Sequence, residues 1–172
     1  MTMTSTLILG VLAWFHILCA IGWFGGDIVL LIGMEPRLGK LSPATRAELI
    51  TTLFPRLNRL ERIFATGTVL FGLLFAYEST GGNLTMLSPA TPWGLAITVG
   101  ATLGFVAFLL EVVVDYPAEK KVIAIMKEMR ANNESVPTAE LSKYHERSEF
   151  AETAVLILLF TSLAFMAAAG QL

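Results

Sequence analysis

Charge is scarce in these 172 residues: 15% are Asp, Glu, Lys or Arg, while 55% are hydrophobic. A soluble domain carries about 25% charged residues on its surface, so a water-soluble globule is a poor reading of this composition. The mean hydropathy of +0.67 agrees. There is no basic surplus either, with 12 Lys and Arg against 14 Asp and Glu. Without one, phosphates cannot be neutralised, and nucleic acid is excluded as a partner. The single cysteine, Cys19, rules out an internal disulfide and leaves the redox compartment unread. No Gly-x-Ser-x-Gly, Walker loop or zinc-protease motif occurs, so hydrolases and nucleotide-driven machines lack support. The first residues carry no basic cluster, and no small-residue cleavage pattern follows a short apolar core. The first apolar stretch is therefore expected to stay in the membrane.

What the chain has in quantity is long apolar runs. A helix needs roughly 20 apolar residues to cross a hydrocarbon core of about 30 Å. Four stretches approach this, at about 6–33, 60–80, 93–114 and 150–169. The expected fold is an all-α integral membrane protein, a single four-helix bundle over 1–172 with the lipid bilayer as its surroundings. The twelve basic residues divide evenly between two segments. Arg37, Lys40, Arg46, Arg56, Arg59 and Arg62 lie between spans one and two. Lys120, Lys121, Lys127, Arg130, Lys143 and Arg147 lie between spans three and four. Basic loops stay on the cytoplasmic side, so both termini are expected outside, in the plasma (inner) membrane. The outer loop, 79–92, is rich in Gly, Pro, Ser and Thr and ends at Trp93, an interfacial anchor. It contains the formal glycosylation triplet Asn83-Leu84-Thr85.

The basic segments have their own pattern. Ser42-Pro43 reads as an N-cap followed by proline at the first helical position, with Leu49, Ile50, Leu53 and Phe54 as an apolar stripe up to Pro55. Val122, Ile125, Met126 and Met129 form another stripe beside lysines and an arginine. The second is either an amphipathic helix for the membrane surface or a partner, or a continuation of span three.

Ionisable residues at membrane depth are costly and are functional candidates by default. His16 lies about ten residues into span one, ~15 Å along it and near mid-bilayer. It can ligate a metal or haem, or it can donate a hydrogen bond to a neighbouring helix. His145 precedes the apolar part of span four, ~10 Å or more away in depth, so a bis-histidine clamp is disfavoured. Met166, in the outer half of span four, is the easier second ligand, although a methionine there commonly serves as packing. Cys19 shares the face of His16, and a His16, Cys19 and Met166 set would suit soft Cu(I). The alternative is that Cys19 is a small packing residue.

His16 is followed by Trp23-Phe24-Gly25-Gly26, then Pro36-Arg37. Ahead of Gly67 and Gly72 stand Arg56, Arg59 and Arg62. This pattern resembles the copper-resistance D membrane family and the related bacterial membrane protoporphyrinogen oxidases. The resemblance covers the first half of the chain and implies haem b or copper at His16, in electron transfer or metal handling. The oxidases carry a lysine after a tryptophan at the start of the third span, where this chain has Trp93-Gly94-Leu95-Ala96. An oxidase activity is therefore only an alternative.

A second constellation lies at the cytoplasmic edge. His145, Glu149 and Glu152 share one helix face by spacing, and Glu111 and Asp115 are four apart at the end of span three. These five form an alternative site for a divalent metal. The competing reading is an ion-paired belt in which Arg59 and Arg62 neutralise these acids together with Asp27 and Glu35. A further expectation, from a different class, is a non-catalytic accessory subunit packed in a homo-oligomer or against other membrane chains. It would use the glycine faces at Gly25, Gly26, Gly67, Gly72, Gly100 and Gly104.

Overall fold

The structure is a computed structural model that describes residues 3–132 and 139–171; of the 1–172 domain, residues 1–2, 133–138 and 172 lie outside it. Among the described residues it is helical without strands. Helix α1 (Met3–Asp27) passes through a π-helical stretch (Ile28–Met34) into the short α2 (Glu35–Leu38). After α3 (Pro43–Thr52) comes α4 (Phe54–Ser79), then a single 3-10 turn (Leu84–Leu87). Helix α5 (Pro92–Leu110) runs through a second π-helical stretch (Glu111–Asp115) into α6 (Tyr116–Ala131), and α7 (Ala139–Ala169) closes the bundle.

Four continuous helical segments result, Ser5–Leu38, Pro43–Ser79, Pro92–Ala131 and Ala139–Ala169, each long and apolar enough to cross a membrane. The 31 residues of the shortest extend ~46 Å at 1.5 Å per residue, well beyond a hydrocarbon core of about 30 Å. The overhangs sit at the end that carries all the basic residues. Spans two, three and four are thus longer than the apolar runs 60–80, 93–114 and 150–169 suggested, because amphipathic turns continue the same helices.

Local sequence explains the punctuation. The Ser42 side chain accepts the Thr45 N–H at 3.2 Å and Pro43 opens α3, as its spacing predicts. Thr91 does the same for α5, accepting from Gly94 N–H at 3.0 Å. Helix α4 ends in a left-handed turn at Gly81 (φ 60°) and Gly82 (φ 80°), a conformation open to glycine. Gly82 N–H then reaches back to the Tyr77 carbonyl at 2.9 Å. Each π-helical stretch precedes a proline. Pro36 and Pro117 lack the N–H that would bond to Ile32 and Val113, and their rings crowd those carbonyls. The helix widens instead: Glu35 N–H bonds to Leu30 O and Tyr116 N–H to Glu111 O, both five residues back.

Helix α1 packs chiefly on α4, and α5 on α7. Trp23, Ala65, Ala107, Val155 and Leu159 bring all four segments into one buried core, flanked by Phe24, Phe64 and Phe108. The outside is apolar and part of the inside is polar. Phe150 and Ile21 are 75% and 65% exposed, whereas Glu111 and Asp115 are 5% and 6% exposed. That inversion of the usual soluble distribution is what a lipid-facing bundle requires.

At the basic end, Ile50, Met126, Met129 and Leu141 bury one another, with Ala47, Phe54 and Val122 around them. The Arg130 guanidinium donates to Thr51 Oγ1 at 3.3 Å across the same contact. The apolar stripe of α6 is thus used inside the molecule, as a continuation of span three packed on α3 and α7.

Glycines set the closest approaches. A Cβ at Gly22 would stand 2.6 Å from the Phe64 ring, whereas one at Gly25 would meet nothing within 4 Å. Overpacking costs about 1–3 kcal/mol, so Gly22→Val is expected to lower the thermal midpoint in detergent by roughly 2–10 °C. Gly25→Val should leave it in place, as followed by tryptophan fluorescence. Equal midpoints for the two variants would contradict the close α1–α4 contact.

Candidate functional site

Two groups of polar residues interrupt the apolar bundle. The first is His16, half-buried on α1. Its Nδ1 lies 2.8 Å from the Thr68 carbonyl on α4. A carbonyl only accepts, so Nδ1 donates. The ring rests on Gly72, where a Cβ would come within 2.8 Å of Cε1. Thr68 itself is steadied by its hydroxyl, which donates to Phe64 O at 2.8 Å. Phe15 of α1 stacks on Phe71 of α4 with centroids 5.0 Å apart. One turn along, the buried Cys19 sulfur faces Gly67, 2.7 Å from where a Cβ would stand. His16 and Cys19 therefore address the same α1–α4 seam, a nitrogen and a sulfur donor as spacing suggested. Met166 packs on Gly100 of α5, its Cε 3.2 Å from a built Cβ. It belongs to the α5–α7 contact, where Ser162 also donates to Gly100 O at 2.7 Å.

These residues fit a soft metal or a haem iron in one respect. When one imidazole nitrogen donates to a carbonyl, the tautomer and ring orientation are set, and the other nitrogen keeps its lone pair for a ligand. The Gly72 floor, which a side chain would fill, makes that orientation possible.

The second group lies at the basic end and draws on all four spans. Asp27 closes α1, and the Glu61 carboxyl of α4 lies against it. Glu61 reaches there over Gly26, whose built Cβ would be 3.3 Å from Glu61 Oε1. Glu111 and Asp115 bound the second π-helical stretch, Glu119 follows one turn later in α6, and Glu152 comes from α7. Asp115, Glu119 and Glu152 present oxygens within 4.8 Å of one another. The Ser148 hydroxyl donates to Asp115 Oδ1 at 2.5 Å and lies 3.4 Å from Glu152 Oε1. Asp27 Oδ2, Glu61 Oε1 and Glu111 Oε2 are buried without a hydrogen-bond partner. The Trp23 indole Nε1, in the core, faces Glu111 without closing a hydrogen bond.

The arginine belt is not what forms. Arg62 is within electrostatic reach of Glu61, Glu111, Asp115 and Glu119, but its guanidinium sits over the Tyr116 ring, 3.9 Å from the centroid. Among the described residues the one basic side chain with a nitrogen within 4 Å of a carboxylate is His145, whose Nε2 lies 3.8 Å from Glu35 Oε1. A cleft of about 510 Å³ at the basic end is lined by Glu35, Arg46, His145 and Glu149 together with Ser148, Glu119 and Glu152.

Of the five residues read as a cytoplasmic-edge site, Asp115 and Glu152 join in one cluster and Glu111 stands beside them. His145 is engaged with Glu35, and Glu149 lies on the exposed rim. Glu119 and Glu61 were not anticipated. The signal for Glu119 was there, since Glu111, Asp115 and Glu119 are spaced four apart along what proves to be one continuous helix.

Like charges gathered out of water raise the energy of the fold unless something compensates them, and neutral replacements of similar shape are often neutral or stabilising. Glu111→Gln is therefore expected to raise the thermal midpoint of chelator-treated protein by roughly 2–4 °C. A clear fall would mean that the Glu111 carboxylate is already paired. Compared with models of known families, with curated proteins and with solved structures, the chain shows no match.

Proposed function

We propose that this chain is a four-span protein of the plasma (inner) membrane, with both termini outside, that holds haem b or copper at His16. Its work would be electron transfer or metal handling. The observation that carries the reading is the 2.8 Å contact between His16 Nδ1 and the Thr68 carbonyl. It spends the Nδ1 proton within the bundle and leaves Nε2 as a free donor atom on an otherwise apolar seam. The sequence resemblance to the copper-resistance D family supports the same residue. The evenly divided basic segments support the orientation.

His16 would be the ligand in either case, with Cys19 on the same seam as the added donor for copper, whose soft ion suits a nitrogen and a sulfur. A haem or copper centre supplies one-electron chemistry when bound. The protein's share is to orient the imidazole through Thr68, to give it room through Gly72, and to keep water away with Phe15 and Phe71.

The accessory-subunit reading loses its main support. Gly26, Gly67, Gly72, Gly100 and Gly104 are covered by Glu61, Cys19, His16, Met166 and Ser162 of the same chain, which leaves Gly25 bare. The porphyrinogen-oxidase reading stays behind for want of the third-span lysine.

Detergent-purified protein is expected to show a Soret band or stoichiometric copper, lost in His16→Ala. Gly72→Leu, which displaces the imidazole without removing it, should weaken the same signal. Cys19→Ser should release copper but leave a haem band unchanged. Folded wild-type protein with no absorbance beyond its aromatic residues and no copper would refute the proposal.

A further inference from the structure

The acids at the basic end form a pocket that the His16 chemistry does not use. We propose that Asp115, Glu119 and Glu152 bind one hard divalent cation of the Mn²⁺ or Ca²⁺ class. Their ligand oxygens lie within 4.8 Å of one another. Oxygens at about 2.3–2.6 Å from a calcium-sized ion stand at most ~5 Å apart across it, so the three can share one ion. The donor set is all oxygen, with Ser148 Oγ as a further neutral oxygen beside Asp115 and Glu152. Such a set selects hard cations over copper or zinc.

A second observation points the same way from outside the acids. Asn58 of α4 is 4% exposed, and its Oδ1 has no hydrogen-bond partner. It lines a cavity of about 180 Å³ together with Glu119, Arg62 and Tyr116. A buried amide oxygen left without a donor is costly, and a cation held at Glu119, on the same cavity, would offset that cost. The surrounding cations do not fill this role. Arg62 is engaged with the Tyr116 ring, His145 faces Glu35, and Lys120 and Lys127, which line the same cavity, are exposed. Arg46 lines the larger cleft, and among the described residues no ion pair within 4 Å joins it to any of the three ligands. The cleft of about 510 Å³ gives the ion a way in, since Glu119, Glu152 and Ser148 all line it.

The site and the His16 seam are separate. His16 and Asp27 are eleven residues apart on α1, ~16 Å at helical rise, and the cation ligands lie on other helices.

The test is Mn²⁺ titration of chelator-stripped, detergent-purified full-length protein, following the free Mn²⁺ signal by electron paramagnetic resonance. The expected result is about one Mn²⁺ per chain, displaced by Ca²⁺. Glu119→Gln and Glu152→Gln should each weaken binding by about tenfold or more, while Glu146→Gln, exposed on the same helix as Glu152, leaves it unchanged. Thermal unfolding keeps the result readable. In chelator the Gln variants should be at least as stable as wild type, yet fail to gain the rise in midpoint that Mn²⁺ gives wild type. His16→Ala should bind Mn²⁺ normally, so failure of one proposal leaves the other standing. No saturable binding by folded wild type below about 1 mM, or full binding after Glu119→Gln and Glu152→Gln are combined, would overturn the inference.

Discussion

The rest of the structure depends on how closely α1 lies against α4. Between helices long and apolar enough to cross a membrane, association rests on van der Waals contact and on hydrogen bonds, and small residues permit both. Gly22 accepts the Phe64 ring and Gly26 the Glu61 carboxyl. In the opposite direction Gly67 and Gly72 accept Cys19 and His16. The exchange is mutual, large side chain into glycine from each helix in turn, and it places both polar groups. Had Gly72 carried a side chain, His16 could not lie where its Nδ1 reaches Thr68. Had Gly26 done so, Glu61 could not approach Asp27.

The prolines act on the same groups by another route. Pro36 and Pro117 each force a wider turn in the preceding residues, and those turns begin just after Asp27 and at Glu111. A widened turn redirects the side chains that border it, a common device at functional sites. Here it leaves Glu111 and Asp115 buried on the inner face of a segment whose Val112 and Val113 are exposed. Two apolar spans thus deliver carboxylates inward at the same level while keeping an apolar exterior.

Much of this was legible in the residues. The four spans follow from run length and composition, because few arrangements other than a helical span can hold so many consecutive apolar residues. The Ser42-Pro43 start of α3 follows from capping chemistry, and the common face of His16 and Cys19 from their spacing on one helix. The partner of each side chain was not legible. Whether Val122 and Met126 face lipid, a partner or the chain itself depends on where α3 lies, which no local pattern encodes. Glu119 went unnoticed because continuation of span three was only one of two readings, and Glu119 shares a face with Asp115 only if the helix runs on. Arg62 was expected to neutralise acids, since charge alone suggests it. The flat guanidinium instead found the Tyr116 ring, a contact that depends on the direction of α6 and not on sequence spacing.

The distribution of charge carries a last consequence. The basic residues crowd the same end as the acids, yet among the described residues no arginine or lysine closes an ion pair with them within 4 Å. Long basic side chains keep their heads in water with little loss, whereas a buried carboxylate has no such freedom. Of the six carboxylates, Asp27, Glu61 and Glu111 each keep an oxygen that has no partner in the fold. Like charges buried together are costly, and their assembly from four separate helices is the kind of local conflict expected at functional sites. The Trp23 core above them is purely apolar apart from its indole nitrogen. It supplies the packing against which such a cluster can be held, and it separates the acids from the His16 seam.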